Sequence, residues 1–141
     1  LTPLARTTPE TLALGVALAE AVGAKPLVLE ADRQDYLVGT VSHLPYLLAC
    51  ALVATADVTT SKDPAVWKIV AGGFRDTSRV AGSDVQMMLD ILMTNQAHVL
   101  DAVKVFEQQL QALARMVEAG DENGLRAALT AIRNTRKEMF P

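Results

Sequence analysis

Aromatic side chains make up only 4% of this chain, and its 13 lysines and arginines are outnumbered by 16 acids. The resulting net charge of −3 excludes the basic footprint of a nucleic-acid-binding domain. A chain poor in aromatics yet 50% hydrophobic, and dominated by alanine and leucine, suits packed helices better than a β-sandwich. The single cysteine, Cys50, has no partner for an internal disulfide and no metal-ligand spacing to His43 or His98. It reads as a small buried residue in a chain at home in a reducing cytosol. No secretory signal opens the sequence, and no Gly-x-Gly-x-x-Gly dinucleotide fingerprint occurs in it.

What is present first is apolar length. The stretch 37–56 is about as long as a membrane span and carries no acidic or basic side chain apart from His43. Ser42, His43, Thr55, the internal Pro45 and acidic flanks at Asp35 and Asp57, with no lysine cluster nearby, argue instead for a helix buried in a protein core. At 141 residues the chain is one domain's worth, enough for a single core.

Two regions differ in pattern. In residues 1–30, Leu1-Thr2-Pro3 and Pro26-Leu27-Val28-Leu29 read as short strands around a helix that starts at Thr7-Thr8-Pro9-Glu10, carries Leu12, Val16, Ala19 and Val22, and stops at Gly23. Such a βαβ unit needs a larger sheet, so it predicts the trailing piece of a nucleotide-binding domain lying upstream. Residues 31–141 read as helical: a long helix from Asp32 or Asp35 to Ala56, bent at Pro45; a short one from the Asp63-Pro64 cap through Trp67, ended by Gly72-Gly73; one opened by the capping box Ser83-Asp84-Val85-Gln86 and running through Met88 and Leu92. Val99, Val103, Phe106, Leu110, Leu113 and Val117 form a heptad seam that predicts lengthwise packing within the chain or across a dimer axis. Gly120 ends that helix, and Asp121 caps the last one, with Leu125, Ala128, Leu129 and Ile132 on its apolar face and Arg126, Arg133, Arg136 and Lys137 on a solvated one.

Chemistry concentrates in Gly72-Gly73-Phe74-Arg75-Asp76-Thr77-Ser78-Arg79-Val80-Ala81-Gly82-Ser83-Asp84. Arginine presents a rigid charged fork that matches a carboxylate, so a turn bearing Arg75 and Arg79 is a candidate anion site; the alternative is a connecting loop whose arginines cap helices or lie in solvent. Together with Ser42-His43-Leu44-Pro45-Tyr46, this segment resembles the signature of the C-terminal domain of prephenate dehydrogenases and the closely similar arogenate dehydrogenases. There, His-Asp and Ser-His-Leu-Pro-His are followed by Gly-Gly-Phe-(Arg/Lys)-Asp-(Thr/Phe)-(Thr/Ser)-Arg-(Ile/Val)-Ala and Ser-Asp. The resemblance covers nearly the whole chain. Gln34 stands in place of the first histidine and Tyr46 in place of the last, and Met88 occupies a position where the family often has tryptophan. Met88 itself reads as core.

The resemblance implies a mainly helical dimerisation domain of the 6-phosphogluconate-dehydrogenase C-terminal-like type, preceded by a short βαβ remnant of a Rossmann domain. It implies the oxidative decarboxylation of prephenate to 4-hydroxyphenylpyruvate in tyrosine biosynthesis, with NAD or NADP bound mainly by the upstream half, in a cytoplasmic homodimer. Arg79 matches the arginine that grips a substrate carboxylate. Asp76 is expected to brace it or meet a partner subunit, the alternative being a surface ion pair. His43, Tyr46, Gln34 and Gly73 complete the expected substrate-binding set, and the principal acid/base histidine belongs to the upstream half, so this chain alone is expected to be inactive. The two substitutions for histidine leave prephenate and arogenate both open as substrates. A non-enzymatic helical interaction domain on the same scaffold is the alternative from another class.

Overall fold

Thr8 sets the first helix by accepting a hydrogen bond from the Thr11 amide at 3.2 Å, and Pro9 comes next, at a position where a missing N–H costs nothing. In the computed structural model, which describes residues 1–140, this helix, α1 (Pro9–Ala21), ends as the sequence predicts. Gly23 takes φ of 79°, its amide bonds the Glu20 carbonyl and the Ala24 amide reaches back to Ala19, the paired closure of a Schellman stop.

The flanking segments do not form the predicted strands: no strand occurs among the described residues. They meet at one point only, where the Leu1 amino group donates to the Leu27 carbonyl (2.7 Å) and the Leu29 amide to the Leu1 carbonyl (2.9 Å). Two extended stretches joined at one rung, with no third beside them, fall short of a sheet.

The long predicted helix is present but interrupted. It runs as α2 (Ala31–Val38), a π-helical turn (Gly39–His43) and α3 (Leu44–Thr60). The 3-10 turn Pro64–Lys68, helix α4 (Gly72–Ser78) and the 3-10 turn Arg79–Gly82 all pack on α3. Asp63 caps the first of these, accepting from the Ala65 amide at 2.9 Å. Gly72-Gly73 does not end a helix, as the sequence suggests, but begins α4. Neither glycine adopts positive φ, so neither can act as the left-handed stop that Gly23 provides.

Helix α5 (Val85–Thr94) is capped by Asp84, whose carboxylate accepts from the Met87 amide at 2.8 Å; Ser83, the expected cap, donates its hydroxyl to the Val80 carbonyl instead. By its internal contacts the chain divides into two compact units after Leu100, a boundary that falls within α6 (Gln96–Glu118). The first unit has a small apolar core of Leu29, Leu44, Ala49, Met88 and Val99.

The apolar run is less buried than its sequence predicts. Ala31–Thr60 is indeed long and apolar enough to cross a membrane, but only 17% of its most apolar window is buried within the chain. Leu44 and Ala49 are covered, whereas Val41 and Val58 are 74% and 63% exposed. One chain of this size does not supply enough other surface to enclose it.

In the second unit, α6 closes at Gly120 with φ of 64°, and Asp121 starts α7 (Glu122–Met139) by accepting from the Gly124 amide at 2.9 Å. Along the predicted seam Val103, Phe106 and Leu113 are half-buried, while Leu110 and Val117 are exposed. On α7, Leu125 and Ala128 are half-buried and Leu129 and Ile132 exposed.

Candidate functional site

Pro45 has no N–H, and in a regular helix its ring would collide with the carbonyl four residues before it, that of Val41. The chain accommodates this by widening the preceding turn: the Leu44 amide bonds the Gly39 carbonyl, five residues back. Such π-turns insert an extra residue and rotate the helix beyond them. Here His43 is buried on the inner side, while Ser42 and Tyr46 stand at the edge of a cavity.

His43 is held by a residue that lies in neither sequence motif. Asn95, the one residue between α5 and α6, is buried; its Nδ2 donates to the Asp35 carbonyl at 2.7 Å and lies 3.2 Å from His43 Nδ1. Helix α6 is further tied to α2 by His98 Nε2 and Asp32 Oδ1 at 3.2 Å, and by an edge-on contact of the His98 and Tyr36 rings, 5.9 Å between centroids.

The cavity measures about 280 Å³. Val41, Ser42, Pro45 and Tyr46 form one wall; Val80 and Ser83 from the turn after α4, and Met88 from α5, form the other. The two sequence motifs therefore share this cavity through Ser42, Pro45 and Tyr46 of one and Val80 and Ser83 of the other, while His43, Asp76 and Arg79 do not line it. Met88 is buried, as expected of a core residue, and also lines this cavity. The Tyr46 phenol is pushed above its ordinary value of 10.0, first by a hydrogen bond with the Cys50 thiol one turn on, then by desolvation and the thiol's charge. It remains a neutral hydroxyl, able to donate and accept, throughout the physiological range.

Arg75, Asp76 and Arg79 are all exposed. Asp76 does not brace Arg79: the one ion pair among the described residues is that of His98 and Asp32. Gln34 is half-buried on α2 and does not line the cavity. Gly73 lies at a second cavity, about 260 Å³, with Trp67 and Phe74, whose rings meet edge-on at 6.0 Å. A side chain at Gly73 would meet nothing within 4 Å in this chain. No cluster of metal-ligating side chains occurs among the described residues. Nor does the chain fit a dinucleotide by itself: it has no glycine fingerprint, and the described residues supply no sheet to carry one.

Asn95 is signalled in the sequence only indirectly. It interrupts an otherwise continuous helical pattern from Val85 to Glu118, and a lone polar residue at such a break carries no motif.

The chain is similar to several known proteins in sequence and in fold. Residues 30–131 match the family model described as prephenate dehydrogenase, dimerization domain. A prephenate dehydrogenase of Lactococcus lactis is 32% identical over 108 residues, 77% of this chain and 30% of that protein. The crystal structure of a prephenate dehydrogenase from A. aeolicus, in complex with hydroxyphenyl propionate and NAD+, superimposes with a TM-score of 0.90 at 33% identity, covering 98% of this chain and 48% of that one. The arogenate dehydrogenase of Synechocystis gives 0.85 at 27% identity, with 98% and 50% covered. The chain thus spans 30% to 42% of the length of the curated relatives it matches. With the family model spanning both motifs and the helices that carry them, this chain belongs to the prephenate dehydrogenase dimerization-domain family.

Proposed function

We propose that this chain is the substrate-binding and dimerisation part of a prephenate dehydrogenase that oxidatively decarboxylates prephenate to 4-hydroxyphenylpyruvate. The observation that carries the reading is the shared cavity, lined by Tyr46 of one motif and by Val80, the residue next to Arg79, of the other. Arg79, unpaired by any carboxylate of the described chain, is free to take a substrate carboxylate bidentately. Asp76, exposed and likewise unpaired, orients the arginine once substrate or a second subunit is in place. Ser42 and the Tyr46 hydroxyl contact the polar groups of the ring and side chain, and His43 stands behind them. Gln34 and Gly73, away from this cavity, reach the substrate site only as the assembled enzyme completes it.

NAD or NADP, when bound, accepts the hydride, and its binding belongs to an upstream nucleotide-binding half. That half also supplies the principal acid/base group, so the chain alone binds but does not turn over substrate. In this reading residues 1–30 are the trailing βαβ piece of that half and 31–141 the helical domain. The bonds joining Leu1 to Leu27 and Leu29 support this, since they have the staggered form of a parallel bridge. The apolar surface left open on Ala31–Thr60 supports a homodimer that covers it. The net charge of −3 does not favour a nucleic-acid role, and the proposal is of a cytoplasmic enzyme without nucleic-acid or membrane partners.

The test is turnover by the full-length protein that carries this domain. With prephenate and NAD+ or NADP+, NADH or NADPH and 4-hydroxyphenylpyruvate should form together. Activity with arogenate alone would move the assignment to arogenate dehydrogenase, and none with either would leave a binding domain on the same scaffold.

A further inference from the structure

We infer that Asn95 is a positioning residue that holds His43, which lies behind the cavity and not on its lining, in a single tautomer with the ring proton on Nε2, so that the ring atom left open is an N–H donor for the assembled substrate site. The tautomer assignment rests on geometry alone, and only its purpose rests on the function proposed above.

The Asp35 carbonyl can only accept a hydrogen bond. An Asn95 side-chain atom lies 2.7 Å from that oxygen, so it must be the amide nitrogen; the flipped amide would set two acceptors against each other. The same nitrogen faces His43 Nδ1 at 3.2 Å. An amide nitrogen is a donor only, hence Nδ1 must accept and carry no proton. A neutral imidazole then has its hydrogen on Nε2. No fully buried side-chain nitrogen or oxygen among the described residues lacks a partner, and no protein group bonds Nε2. Nε2 therefore keeps contact with the outside of the core.

The backbone is arranged to make this possible. Asn95 sits at the break between α5 and α6 with φ of −116°, outside helical geometry, which turns its side chain toward the helix that bears the motif. At the other end the π-turn carries His43 inward to meet it. With Nδ1 held from behind, the side chain's remaining polar atom is a fixed donor, an arrangement suited to a carboxylate or carbonyl oxygen and needing no reorganisation on binding.

Nitrogen-15 NMR of the histidine rings in this chain tests the assignment. His43 should show an unprotonated Nδ1 and a protonated Nε2; a protonated Nδ1 overturns the inference without reference to any enzyme activity. Asn95→Asp preserves shape but offers only acceptors at neutral pH, and should move the proton to Nδ1. If that variant does not fold, Asn95→Leu, which offers neither donor nor acceptor, should give a mixture of tautomers. In the full-length enzyme the folded variant should lose on the order of tenfold in kcat/KM for prephenate, with the KM for the nicotinamide cofactor unchanged. Unchanged kcat/KM in a variant whose tautomer has changed would overturn the positioning role. A wild-type enzyme inactive on both prephenate and arogenate would instead sink the functional reading, and the purpose assigned to the tautomer with it.

Discussion

A Cβ atom placed on Gly39 would lie 3.3 Å from the Cβ of His98 and 3.4 Å from its carbonyl carbon and oxygen. The helix carrying Ser42 and His43 thus crosses the start of α6 so closely that a methyl group would force His98 to give by a few tenths of an ångström. His98 cannot rotate away, because the nearest atoms are its Cβ and backbone. Gly39→Ala gains about 1 kcal/mol of helix propensity, but overpacking costs about 1–3 kcal/mol. The expected net effect is a loss of stability in urea denaturation, and a stabilised variant would show that the crossing has room for a methyl group.

A second expectation concerns α5, which carries Met88 to the cavity. Asp84→Ala removes the bond to the Met87 amide and should cost about 1 kcal/mol. Asp84→Asn, which keeps an acceptor, should restore most of it. Ser83→Ala should cost less, since Ser83 is not the cap. An equal loss at both positions in thermal melts would contradict the assignment.

Local interactions are the part of this fold that the residues make legible. Thr8, Asp63 and Asp121 each carry a side-chain acceptor at a helix start, and all three serve as caps, because capping is a local interaction. Gly23 and Gly120 are readable for the same reason: a helix must end near them, and among the described residues only there is φ positive. Gly72-Gly73 misleads because glycine permits a stop without requiring one. The π-turn, the single rung between Leu1 and its neighbours, and the bond from Asn95 to His43 depend on contacts between distant segments, which no local pattern encodes. The two motifs are recognisable as text, but that Tyr46 and Val80 line one cavity emerges only from the packing on α3.

The thiol of Cys50 sets a pH expectation. Tyr46 has a folded-state value raised above 10.0, so its contribution to stability is complete below pH 10 and is lost as pH rises through the folded value. Phenolate absorbance should show Tyr46 ionising later than a free tyrosine. Cys50→Ala should bring its midpoint down toward 10.0, and a midpoint that does not move would remove Cys50 as the cause.

Association should be visible in the isolated chain. Val41, Val58, Leu110 and Val117 remain exposed, and a second copy that covers the open face of Ala31–Thr60 is what the proposed homodimer supplies. Sedimentation equilibrium at micromolar concentration should give twice the 15.1 kDa chain mass. A monomer across the whole concentration range would leave the open face of Ala31–Thr60 without its proposed cover.

The central claim is that this domain supplies the cation that holds the substrate, and steady-state kinetics of Arg79→Ala in the full-length enzyme tests it most directly. Removing the guanidinium leaves a substrate carboxylate uncompensated, which should cost roughly 2–4 kcal/mol. The loss should fall on the KM for prephenate, with the nicotinamide KM and the melting temperature near wild type. Arg79→Lys should recover only part, because an ammonium keeps the charge without the fork. A variant that melts well below wild type but keeps its kcat/KM would make Arg79 a structural residue and contradict the account.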